Sequence, residues 1–89
     1  MAIEYKYGKV TTEYGNIGEE ESVVIFRGRD KYLQGVLEYY YTDCYINDCS
    51  DFHLDLIKST IDKIKEWQKV NGTQQPASKS YEQRIKGNT

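Results

Sequence analysis

Tyr32-Leu-Gln-Gly-Val-Leu-Glu-Tyr-Tyr-Tyr41 is the stretch whose reading decides the fold. With a period of two, Leu33, Leu37, Tyr39 and Tyr41 share one face of a strand. With the helical period, Leu33, Val36, Leu37 and Tyr40 form an apolar stripe and Asp30 stands where an N-cap is wanted. Gly35 inside a helix costs about 1 kcal/mol relative to alanine. Three tyrosines in a row suit a pleated, half-buried surface. The strand is the preferred reading and the helix the alternative.

Upstream, Ile3, Tyr5 and Tyr7 alternate with Glu4, Lys6 and Gly8, which predicts a strand over Ile3–Tyr14. Gly8 marks a bulge, because Val10, Thr12 and Tyr14 continue on the opposite register. Residues Gly15–Glu21 read as a loop. Ser22-Val-Val-Ile-Phe-Arg27 is a nearly continuous apolar run and reads as a central strand covered on both faces. Gly28–Lys31 is turn chemistry.

Downstream, Asp51–Val70 carries the clearest periodicity. At about 100° per residue, His53, Leu54, Leu56, Ile57, Thr60, Ile61, Ile64 and Trp67 fall on one arc, with Asp51, Asp55, Lys58, Asp62, Lys65, Glu66 and Lys69 opposite. Asp48 or Ser50 can cap its start and Asn71-Gly72 supplies its stop. The predicted fold is therefore α+β, one domain over residues 1–71. A three-stranded antiparallel sheet (β-β-β) packs against one long amphipathic C-terminal helix. A polar tail follows over 72–89, where Ser80 and Gln83 resemble a capping box and allow a short helix near 80–86.

Charge narrows the function classes. Residues 1–50 hold nine acids against five bases, while residues 72–89 hold one acid against three bases, within a net charge of −2. Nucleic-acid binders usually present a basic face, so direct binding of duplex DNA through the sheet half is not expected. No run approaches the about 18 apolar residues of a membrane span, and no signal-peptide pattern opens the chain. A cytoplasmic location is expected, where thiols stay reduced.

The residues between Leu37 and His53 hold four tyrosines, three aspartates and both cysteines of the chain. Cys44, Cys49 and His53 are plausible zinc ligands by type, but a structural site wants four, and the fourth would have to be an aspartate such as Asp48 or Asp51. A Cys44–Cys49 disulfide would close a small loop against the reducing cytosol. The preferred reading makes both thiols free and apolar, with no metal and no cofactor. A Cys–His nucleophile pair lacks any evident oxyanion-hole element, neither GNIG nor FRGRD is a phosphate loop, and an enzyme is not expected. Arg27, Arg29 and Lys31 form the one basic cluster of the first half, a solvated turn or an anion contact.

Nine tyrosines in 89 residues exceed what a small core needs. Tyrosine is a large, stiff, amphipathic anchor at interfaces. Tyr39, Tyr40 and Tyr41 with Glu38, and with Glu19, Glu20 and Glu21, make a candidate partner-binding face. Acidic and aromatic, it suits a protein partner with a basic groove, where complementary charge speeds docking; a homodimer also fits. In size and composition the chain resembles the small phage-encoded inhibitors of bacterial defence, such as anti-CRISPR proteins. That resemblance carries over no residue. It implies inhibition of a nucleic-acid-handling or defence protein in the bacterial host cytoplasm. Alternatives are a nucleotide-binding or sponge module, using tyrosine stacking and Arg27 with Arg29, and an accessory or immunity-type protein of a cytosolic bacterial system.

Overall fold

The computed structural model describes residues 1–87, apart from the Ser80 side chain. Ser80 as a cap, and the last two positions of the 72–89 tail, therefore lie outside the described residues. The elements in chain order are β1 (Ala2–Glu4), β2 (Gly8–Val10), α1 (Leu33–Ile46), α2 (Asp51–Asn71) and α3 (Lys79–Gly87). They fall into two compact units. One comprises Met1–Ile25 and the segment from Ala77 onward, the other Phe26–Pro76.

In the first unit β1 and β2 form an antiparallel hairpin in which Ala2 pairs with Val10 and Glu4 with Gly8. The predicted long strand is thus two short ones. Gly8 is not a bulge inside it but the residue that ends the turn, at φ +91°, a conformation that an L side chain rarely adopts. The Lys6 amide donates to Glu4 Oε1 at 2.6 Å and closes the turn. A third segment meets the hairpin through an isolated parallel bridge between Ile3 and Ser22. From α3, Arg84 Nη2 donates to the carbonyls of Tyr5 (3.2 Å) and Lys6 (2.7 Å), so the last helix is tied to the hairpin turn.

In the second unit α1 and α2 pack together. The core is Cys44, Leu54, Ile57 and Ile61, with Leu37, Tyr41 and Cys49 against it. At the far end of α2, Gln68 is buried, and its Nε2 donates to the carbonyls of Gly28 (2.8 Å) and Asp30 (3.1 Å). Its Oε1 accepts from Gln34 Nε2 of α1 at 2.5 Å. One glutamine side chain therefore joins α2 to α1 and to the segment before it. That segment pairs on its other side with Gln74, through a parallel bridge at Asp30.

The predicted three-stranded sheet with one C-terminal helix is corrected to a two-stranded sheet and three helices. Two segments account for the difference. Residues 33–41 are helical, since only a helical turn places Leu37, Tyr41 and Cys44 together on the side facing α2, and that burial outweighs the cost of Gly35. Ser22–Arg27 is no covered central strand: beyond the Ser22 bridge it is irregular, and Val24 is 73% exposed.

Helix α2 extends one residue beyond the expected Val70. Ser50 caps it, its hydroxyl accepting from the His53 amide at 3.2 Å, and Gly72 ends it at φ +77°. Its buried line is narrower than the predicted arc. Leu54, Ile57, Ile61 and Gln68 are inside, whereas Leu56, Thr60 and Trp67 are exposed. Part of the Trp67 ring faces Gly28, where a Cβ would meet it at 3.5 Å.

Candidate functional site

Helical geometry separates the three consecutive tyrosines by about 100° each, and each meets a different environment. Tyr41 turns inward and packs on the α1–α2 core, with Lys58 Nζ 5.8 Å from its ring centroid. Tyr40 stands at the edge, its hydroxyl 3.3 Å from His53 Nε2 and the two rings nearly perpendicular. Tyr39 points out and is 78% exposed. Of the predicted trio, Tyr39 is thus the freest to meet a partner, and Tyr41 is mainly a packing residue.

Val36, Asp43 and Ile46 lie three, four and seven positions from Tyr39 and share its face; all are exposed. Glu38, Thr42 and Tyr45 flank it, also exposed. Sequence reading set Asp43 in the acidic-aromatic patch but left Val36, Tyr45 and Ile46 out of the candidate site. Their spacing would have selected them had residues 32–41 been taken as a helix. Glu38 reaches Lys65 of α2 at 3.7 Å, with both side chains about half exposed, so the pair adds little stability. Beside it, Glu38, Tyr41, Thr42, Lys58, Ile61 and Lys65 line a shallow groove of about 310 Å³.

The other predicted residues fall elsewhere. Glu19, Glu20 and Glu21 belong to the first unit and shape a turn. The Glu20 amide donates to the Met1 carbonyl (2.8 Å), the Glu21 carbonyl accepts from the Ile3 amide (2.9 Å), and Glu20 holds φ +58°. Arg27, Arg29 and Lys31 lie in the second unit with exposed side chains. Their backbone does structural work: the Arg29 carbonyl accepts from the Gln74 amide, and the Lys31 amide donates to the Gln74 carbonyl. Lys31 Nζ sits 5.1 Å from the Tyr32 ring centroid.

Cys44 is buried near the end of α1, and Cys49, half-buried, lies just before α2; both are free thiols. A hydrogen bond with the Cys44 thiol is the main reason that Cys49 titrates above an ordinary thiol, and desolvation adds to it. The same thiol, through a hydrogen bond, is the first cause of the raised Tyr40 phenol. Among the described residues, no three His, Cys, Asp or Glu side chains are placed to hold a metal ion. Cys44 and Cys49 pack at the α1–α2 core, and His53 is set against Tyr40. Among the described residues, no helix is long and apolar enough to cross a membrane.

No protein-family model, no curated protein and no solved structure matches the chain.

Proposed function

We propose that the chain is a non-enzymatic, cytoplasmic binding protein that uses the solvent face of α1 to inhibit a bacterial nucleic-acid-handling or defence protein, in the manner of phage anti-defence and anti-CRISPR inhibitors. The observation that carries this reading is Tyr39. It is a large aromatic ring held out on a rigid helix, with Ile46 and Val36 beside it and Asp43 and Glu38 around it. A rigid aromatic ring among apolar neighbours is the usual anchor of an interface, and a surrounding negative charge favours a basic partner. The core of the second unit does not use Tyr39, Asp43 or Ile46.

The test begins with capture of partners from bacterial lysate at low and high salt, followed by binding kinetics with the purified partner. Tyr39→Ala should keep the parent's melting temperature and weaken affinity about thirtyfold, the effect of losing about 2 kcal/mol at a hot spot. Asp43→Lys and Glu38→Lys should mainly slow association and flatten its salt dependence. If these variants bind normally while Arg27→Ala, Arg29→Ala or Lys31→Ala abolish binding, the acidic face is not the working surface. A phosphate-bearing ligand at the basic turn would then replace it.

A further inference from the structure

The joint between α1 and α2 brings two thiols together. Cys44 lies in the last turns of α1, Cys49 lies two residues before α2, and the Cys49 amide donates to the Cys44 carbonyl at 3.0 Å. With ordinary bond lengths on either side, that bond holds the two Cα atoms within about 7 Å, the upper end of the range a disulfide spans. Orientation agrees with distance. Cys44 is part of the buried cluster, and Cys49 packs against the same cluster from the loop.

We propose that Cys44 and Cys49 are a reversible disulfide site, oxidised by a low-molecular-weight disulfide such as oxidised glutathione. Cys49 is the point of entry because Cys44 is only 7% exposed. The Cys49 thiolate attacks one sulfur of the small disulfide, that S–S bond breaks, and one glutathione leaves as its thiolate. Cys44 then loses its proton to solvent and attacks the Cys49 sulfur, and the second glutathione leaves. Two protein thiols have given up two electrons, and one small disulfide has become two thiols. The first step is slow near neutral pH, because the raised titration of Cys49 leaves little thiolate. The pair is thus set by its equilibrium with the thiol pool rather than by fast trapping of oxidant. The bridge would fix the end of α1 against the start of α2, across a joint that includes Asp48 in the left-handed region at φ +59°.

The experiment equilibrates the full chain in glutathione buffers of graded ratio, blocks remaining thiols with iodoacetamide and reads intact mass. The expected result is one transition, from doubly alkylated protein to a monomer two mass units lighter than the reduced chain that takes no alkyl group. Half-conversion should track the square of the reduced-glutathione concentration divided by that of the oxidised form, and dithiothreitol should reverse it. Cys44→Ser should halt at a glutathione adduct on Cys49, and the wild-type chain decides the matter if this variant does not fold. A lasting glutathione adduct on wild-type protein, disulfide-linked dimers, or two alkylatable thiols throughout would each overturn the proposal.

Discussion

Helices α1 and α2 are neighbours in space and differ in how their sequences specify them. Helix α2 carries its own boundaries: the Ser50 hydroxyl at the start, Asp51 in the first turn, Lys69 in the last, and Gly72 at the stop. Helix α1 has none of these. Tyr32 at its N-cap makes no side-chain cap, its first turn lacks an acid, its last turn lacks a base, and Gly35 interrupts it. The nearest substitute is Asp30, two residues ahead of the cap position, whose carboxylate accepts from the Tyr32 amide at 2.8 Å. One helix is thus specified locally and the other by what it packs against. A local reading finds the first and misreads the second.

The largest test of that contrast lies in the shared core. Ile61→Ala should cost about 2–4 kcal/mol in urea denaturation, because it empties the centre of the packing on which α1 depends. Leu56→Ala, on the exposed flank of α2, should cost less than about 1 kcal/mol. Similar losses at both positions would mean that α2 buries a different face. Next in size is Gln68→Leu. It leaves the Gly28 and Asp30 carbonyls and the Gln34 amide without their partner. A loss of about 1–3 kcal/mol is expected, and a neutral result would show that water replaces the glutamine easily. The smallest effects address the helix ends and have opposite signs. Ser50→Ala should lose about 1 kcal/mol by uncapping α2. Gly35→Ala should gain about 0.5–1 kcal/mol, since no atom lies within 4 Å of the added Cβ. Destabilisation by Gly35→Ala would count directly against a helix at that position.

The same contrast explains what could be read from the sequence. Almost all of α2 was legible, because an apolar period and a stop at Gly72 are local signals. The β-branched and aromatic content of Ile3–Tyr14 announced strand structure, but the left-handed backbone at Gly8 resolves it into a hairpin, and a glycine alone does not distinguish a turn from a bulge. The apolar run Val23–Phe26 suggested a buried strand, yet burial requires partner strands, and these are absent among the described residues. At the candidate site, residue types were legible and directions were not. Whether Tyr39, Tyr40 and Tyr41 alternate across a strand or fan around a helix depends on the period, and the period of α1 is settled by its contact with α2. Gln68 gave no signal, because a polar residue at the edge of an apolar arc looks like any solvated one.

The Gln68 clasp also bears on the order in which the second unit assembles. Its bond to Gly28 joins residues 40 apart, whereas Cys44 and Cys49 at the helix joint are five apart. An eightfold longer separation adds roughly 2 kcal/mol of loop-closure entropy. The short joint is therefore the natural place for α1 and α2 to meet first, and the clasp closes only when both helices are in place. In reverse, thermal opening is expected to start at the Gln68 end, which hydrogen exchange would read as earlier loss of protection at residues 28–30 than at the Cys44–Cys49 joint.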